Sequence, residues 1–387
     1  MFSLRSSLLY GIFLFLCVSI VTIAYPQLTY GQSDDSLPRS EYFVGVVEEV
    51  VTEKKLATEE KYIQTVRVKL VDSDEQATVQ YGDDMQALEK SQRLTPGEKV
   101  LVVKQPLYGG GSELVIADKY RLPVLWWLLG GLVAVVFVVG RWRGMGAFAG
   151  MLVSLGILVW FVVPHILSGE NPLLVTVLGS LGIGTVTLYL SHGLSIKTHI
   201  SLISLYLVLG LVCALTLMSV FVGHFVGMGS EEALFLRAGS TATINLQGLF
   251  IGGVILGALG VLDDIIVAQV AVVFQLKAAQ KNIQLPELYS RGLFVGKEHV
   301  ASLVNTLALA YAGANLPLFL LFMLNKYTPT WVIFNSEAIA EEVVRTLVGS
   351  IGLVAAVPLT TLIAAVVATR LSTATLHKIT EDHQHIH

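Results

Sequence analysis

The sequence predicts a mainly α-helical polytopic membrane protein. The expected form is a seven-helix bundle, preceded by an N-terminal anchor or signal and a small extracytoplasmic β-barrel of OB-like or SH3-like kind. Three observations predict it. Of 387 residues, 54% are hydrophobic and only 14% are charged, whereas soluble domains carry about 25% charged residues. From Leu122 onward apolar runs recur that reach the ~18 residues expected of a membrane span. Before them lies a stretch of different grammar, with short β-branched runs separated by turn residues.

Residues 1–26 carry Arg5 and then the apolar run LLYGIFLFLCVSIVTIAYP. Thr22 and Ala24 offer a small-x-small cleavage pattern, but the apolar core is long for a secretory signal, which favours a retained anchor. Residues 27–37 form a polar linker. Residues 38–121 hold five strand-like segments: YFVGVVEEVVTE, KYIQTVRVKLV, QATVQYG, KVLVVK and ELVIAD. Turn residues such as Thr95-Pro96-Gly97 separate them, and five short strands in this length fit a small barrel. The barrel lacks aromatic–basic interleaving, so it reads as a structural or partner-docking module.

Residues 122–371 form the membrane domain, with spans expected at 122–139, 145–166, 172–190, 199–223, 246–270, 300–324 and 347–369. With the N-terminus inside and the barrel outside, inner segments hold ten basic residues: Arg5, Arg141, Arg143, Lys197, Lys277, Lys281, Arg291, Lys297, Arg370 and Lys378. Outer connections hold three, Arg237, Lys326 and Arg345. This asymmetry predicts a cytoplasmic carboxyl terminus and an extracytoplasmic segment 27–121, in a bacterial plasma membrane. Residues 372–387 form a His-rich tail on the cytoplasmic side. The formal charge of −4 gives no basic stripe, so nucleic acid is not an expected partner. Cys17 and Cys213 both lie in apolar segments and form neither a disulfide framework nor a metal site.

The span around LQGLFIGGVILGALGVLDDIIVAQVAVVFQL contains Asp263 and Asp264. Carboxylates at membrane depth are costly and commonly mark an ion or substrate path. Gly253, Gly257, Gly260, Asp264, Ala268 and Ala271 share one helical stripe, at steps of three and four. Small residues permit close helix packing, so Asp264 is expected to point into the bundle and Asp263 to lie near the stripe's edge. The apolar stretch exceeds the hydrocarbon thickness, so it must tilt, protrude, or break near Gly260–Asp264.

A second cluster lies in GLFVGKEHVASLVNTLALAYAG. Lys297 and Glu298 stand at a span's inner edge, and Glu298, Ser302, Asn305 and Leu309 align as a polar ladder. The ladder reads either as a guide for an ion or proton, or as interfacial charges with Asn305 joining helices. A third cluster spans Asn335–Thr361. There Glu337, Glu341 and Glu342 make an acidic outer mouth, and Glu341 and Arg345 suit an exposed pair four residues apart. Gly349 and Gly352 are candidate helix-packing positions. The membrane histidines lack ligand spacing, so no metal is expected. No phosphate-binding, nucleophile-elbow, metalloprotease or dinucleotide motif sits on a suitable element, so neither a cofactor nor an enzyme activity is expected.

These residues resemble the YibE/YibF-like family of bacterial multi-pass membrane proteins. The likeness runs from about Tyr42 to Ala365 and includes the RWRG turn at Arg141–Gly144 and the loop Ser191–Lys197. The family's GAxGxxxD pattern falls on Gly257, Ala258, Gly260 and Asp264, leaving Asp263 at a usually apolar position. Its NTL-x-x-AY-x-G run falls on Asn305, Thr306, Leu307, Ala310, Tyr311 and Gly313. Lys297 and Glu298 stand where the family has Arg and Asp, and Ala301 and Ser302 where it has Gly and Thr. A third run matches Asn335, Ser336, Glu337, Gly349, Ser350, Gly352, Pro358 and Thr360. The resemblance implies a membrane protein and says little of its action.

From the residues themselves, the first expectation is a transporter or channel-like permease for a small ion or solute, coupled to protons or cations through Asp264. In it Asp263 partners Asp264, while Lys297, Glu298, Ser302 and Asn305 line the inner route. The alternative is a non-transporting scaffold whose barrel docks an envelope protein partner. Either chain can assemble as a homo-oligomer in the lipid bilayer. Adjacent aspartates on one helix do not suit an intramembrane hydrolase, which needs them on facing helices.

Overall fold

The computed structural model describes residues 40–55, 61–71, 75–83, 87–106, 111–239, 244–324 and 327–371. The expected anchor or signal, the linker and the His-rich tail lie outside the described residues. The chain divides into two compact units, with the boundary between Val138 and Val139.

The first unit contains an antiparallel sheet that curls into a half-barrel. Its strands are β1 (Glu41–Lys55), β2 (Lys61–Leu70), β3 (Gln76–Tyr81), β4 (Leu88–Glu89), β5 (Lys99–Pro106) and β6 (Ser112–Lys119). The order is β3-β2-β1-β5-β6, with β4 pairing to β2. The five segments expected from alternation are β1, β2, β3, β5 and β6; only the two-residue β4 is additional. Alternation explains why. Along β2, Tyr62, Gln64, Val66, Val68 and Leu70 are buried while the residues between them are not. Val47, Val79, Leu94, Val100, Val102 and Ile116 complete the core.

Gln64 is the one polar side chain of that inward row, and it is satisfied. Its Oε1 accepts from the Leu94 amide at 2.8 Å, and its Nε2 donates to Glu53 at 2.8 Å. Arg93 closes a fork on the same carboxylate, with Nε at 3.0 Å and Nη2 at 2.6 Å. This guanidinium holds the Glu53 carboxyl below the usual carboxylate range.

The second unit is helical. Helix α1 (Leu122–Ile157) begins in the first unit and leaves helical geometry at Arg141, whose φ is 47°. A wider π turn (Leu158–Val162) joins α1 to the short α2 (Val163–Leu167). Then follow α3 (Pro172–His192), α4 (Ile196–Gly223), α5 (Glu231–Gly239), α6 (Leu246–Ala279), α7 (Leu285–Ala314), α8 (Leu316–Leu324), α9 (Thr330–Asn335) and α10 (Glu337–Arg370). Helix starts carry side-chain caps: Asn171 accepts from Leu173, Ser195 from Thr198 and Asn245 from Gly248.

Among the described residues six helical segments are long and apolar enough to cross a membrane: Leu122–Arg141, Gly144–Leu167, Pro172–His192, Ile196–Gly223, Leu246–Ala279 and Glu337–Arg370. The count reaches seven if the bent pair α7–α8 is one span. The span expected at 300–324 falls on this bent pair. Helix α7 starts at Leu285, and the chain turns by 63° between Ala314 and Leu316. Pro317 accounts for the turn: it has no amide to bond the Gly313 carbonyl, and it disfavours helical geometry at Leu316.

Helices α6 and α10 pack against each other at the centre of the bundle, and α4 and α7 pack on both. Close approach is made by glycine. A Cβ on Gly352 of α10 would lie 2.4 Å from Val212 of α4, and one on Gly349 3.3 Å from Leu307 of α7. Gln269 of α6 ties three helices, donating to the Gly292 carbonyl at 2.8 Å and to Thr361 Oγ1 at 2.6 Å.

Candidate functional site

Helix α6 runs unbroken from Leu246 to Ala279, so the break anticipated at Gly260–Asp264 does not occur. Its buried face is large and aliphatic: Ile251, Ile255, Ala258, Leu262, Ile265, Ile266 and Val273. The stripe of small residues lies on the opposite side of the wheel. This corrects the expectation that the stripe is the packed face. Gly260 has no atom within 4 Å of its would-be Cβ, and Asp264 is exposed. Asp263 is the more enclosed of the two: its Oδ1 is buried without a hydrogen-bond partner. Thr187 of α3 lies beside it, with its own hydroxyl committed to the Ile183 carbonyl at 2.8 Å. A row of small residues serves equally for close packing and for leaving a channel open. Which of the two it does depends on neighbouring helices, about which the α6 sequence says nothing.

The neighbouring helix fixes the register of the aspartates. Gly252 meets Thr176 and Asp263 meets Thr187, so α3 and α6 run parallel in fixed register. Helix α3 ends at His192, five residues beyond Thr187. The aspartates thus lie about 7 Å short of the end of α3, while along α6 they stand near the middle of Leu246–Ala279. His192 closes α3 at the end nearest the aspartates. Helix α6 overshoots α3, continuing to Ala279, where Lys277 caps the turn by donating to the Lys281 and Ile283 carbonyls.

The other end of the stripe meets groups that the sequence reading placed elsewhere. Arg345 of α10 reaches over α6, its Nη1 3.3 Å from the would-be Cβ of Gly253 and its guanidinium 5.7 Å from the Phe250 ring centroid. The Tyr311 hydroxyl of α7 stands 2.6 Å from the would-be Cβ of Gly257. Arg345 pairs with Glu342 at 3.3 Å, not with Glu341. Asn315 donates to the same Glu342 at 2.9 Å and to the Tyr311 carbonyl at 3.1 Å. Beside this cluster opens a mostly apolar cavity of about 290 Å³, lined by Tyr311, Phe319, Phe334 and Glu342 among others. The stripe is therefore covered at one end and exposed at the other. Arg345 and Tyr311 stand over one end, Asp264 at the other, with about 16 Å of helix from Gly253 to Asp264.

The acidic mouth is corrected as well. Glu337 accepts from the amides of Val226 at 2.6 Å, Gly227 at 2.9 Å and Met228 at 3.5 Å. Glu341 is buried and accepts from the Gly229 amide at 3.1 Å. Loop amides without a strand or helix partner need acceptors, and these two carboxylates supply them. Losing a charge-assisted bond costs about 1.5–3 kcal/mol. Glu337→Ala should therefore speed hydrogen exchange at residues 226–228 by roughly ten- to a hundredfold while distant amides stay protected. Unchanged exchange there would remove the clamp.

Lys297, Glu298, Ser302 and Asn305 are all exposed on α7. The ladder of Glu298, Ser302 and Asn305 lies opposite the face that Gly292, Gly296 and Leu307 bury. Among the described residues, no hydrogen bond or ion pair joins these four side chains to Asp263 or Asp264. The structure thus brings Gly253 and Gly257 together with Arg345 and Tyr311, leaves Gly260 and Asp264 exposed farther along the same face, and sets the ladder apart. No group of three or more His, Cys, Asp or Glu side chains gathers among the described residues.

The sequence profile of the family described as YibE/F-like protein matches residues 128–370. The chain belongs to the YibE/F-like family. The match covers the whole stripe, from Gly253 to Asp264, with Tyr311 and Arg345. The half-barrel sheet lies outside it, so the resemblance expected from Tyr42 onward narrows to the membrane part. Neither the curated proteins nor the solved structures contain a match. The YibE/F-like region is thus a multi-pass membrane protein by its apolar helices and family together.

Proposed function

We propose that the protein is an integral-membrane permease for a small ion or solute, moved along the glycine stripe of α6 and coupled to protons or cations through Asp264. One observation carries this reading. The stripe is polar at both ends, with Arg345 and Tyr311 at one and Asp264 at the other, and open at Gly260 between them. A lipid-facing helix face gains nothing from a guanidinium, a phenol and two carboxylates, whereas a hydrated path uses each. Asp263 and His192 sit beside Asp264 as partners in proton exchange. On the basic-residue asymmetry, the aspartate end opens to the cytoplasm of a bacterial cell, and the half-barrel, of OB-like or SH3-like kind, lies outside. No catalytic role is assigned.

The second reading is a scaffold that docks an envelope protein. The sheet favours it, since β3 and β6 end the row of hydrogen-bonded strands and approach each other without a ladder joining them. Purified protein in liposomes separates the two. Under an imposed pH gradient, with small ions and solutes screened in turn, the permease shows flux that Asp264→Asn lowers at least tenfold without altering its elution. If nothing moves and cells carrying Asp264→Asn behave as the parent, the scaffold reading stands instead.

A further inference from the structure

The stripe leaves the ladder on α7 unexplained. Ser302 and Asn305 lie inside Val300–Leu324, a run without a charged residue or histidine. Both are exposed, and neither side chain makes a hydrogen bond among the described residues. They point away from α6 and α10, because the opposite face of α7 is seated on those helices through Gly292, Gly296 and Leu307. Hydrocarbon offers a carboxamide no partner, so a polar group on the outer face of a span is a group awaiting another helix.

We propose that this face of α7 is the seam of a homodimer, with Asn305 of each copy bonded to Asn305 of the other. The occupant follows from the chemistry of the side chain. A carboxamide carries both donors and an acceptor, so it is its own complement across a two-fold axis. An isologous contact needs a surface that satisfies itself, and closed two-fold pairs are the commonest assemblies. Ala301, Leu309 and Ala312 share the exposed face with Asn305, the alanines letting a second helix approach and the leucine offering it an apolar contact. Glu298 lies on the same face outside the uncharged run, where water reaches it.

Position-specific crosslinking tests this in native membranes. In a full-length chain with Cys17→Ser and Cys213→Ser, Ser302→Cys and Asn305→Cys should form oxidant-dependent dimers of twice the chain mass. Leu303→Cys, which faces the bundle core, should not. Adding Asn305→Leu to Ser302→Cys should lower the dimer fraction at least threefold, while Asn305→Gln keeps it. Three results overturn the seam: no adduct at 302 or 305, equal adducts at 302 and 303, or an adduct whose mass is that of a different protein. Because the readout is mass alone, it is independent of whether any solute is transported.

Discussion

Gly227→Ala is expected to destabilise the helical unit by about 2–5 kcal/mol, more than any other single methyl addition to the loop between α4 and α5. Two costs add. Gly227 has φ +85°, and an L residue held in left-handed geometry loses about 1–2 kcal/mol. The new Cβ would also lie 2.3 Å from the Leu246 carbonyl oxygen and 2.7 Å from the Gln247 amide nitrogen. These are backbone atoms of the first turn of α6, not ends of flexible side chains, and forced overpacking costs about 1–3 kcal/mol. The loop cannot slide away. Glu337 holds three of its amides, and Gln247 Nε2 donates to the Phe225 carbonyl at 2.6 Å. Thermal unfolding in detergent checks the claim against Gly210→Ala. Gly210 is exposed in α4 with no atom within 4 Å of its would-be Cβ, so alanine there should gain up to about 1 kcal/mol of helix propensity. Equal melting temperatures for the two variants would refute the argument.

The same loop shows where the sequence is legible and where it is not. Strands announce themselves through side chains that alternate across a pleat, so β2 can be read from KYIQTVRVKL alone. Spans announce themselves through length and the absence of charge, and six of the seven expected intervals overlap helical segments long and apolar enough to cross a membrane. Both signals are local. The bend at Ala314–Leu316 is half local: Pro317 marks it, but only if a span is allowed to break. The rest depends on partners far along the chain. Glu341 is as well spaced for Arg345 as Glu342 is, and the choice is made by a loop more than a hundred residues earlier, whose Gly229 amide claims Glu341. The register of Asp263 is set by Thr187, and the openness of the glycine stripe by where α7 crosses α6. Composition identified the aspartates and glycines as unusual; only the neighbouring helices show which side of α6 they face.

Gly260→Leu is expected to abolish flux, by at least tenfold, while leaving the melting temperature within a few degrees of the parent. The combination matters more than either result. At Gly257 a side chain would collide with the Tyr311 hydroxyl, so a loss of activity there would report repacking as much as obstruction. At Gly260 nothing stands within 4 Å, so leucine enters space that the fold leaves empty, and its helix propensity exceeds that of glycine. If that space is a hydrated passage between Arg345 and Asp264, an isobutyl group fills it and dries the route on which the carboxylate depends. If the face looks only into lipid, leucine is the side chain best suited to it, and both flux and stability persist. Gly260→Ser serves as the companion: it adds bulk but keeps the passage polar, and should retain more flux than leucine. Parent-like flux from the leucine variant in proteoliposomes would show that α6 presents this face to lipid, and the acids at 263 and 264 would then need a purpose other than conduction.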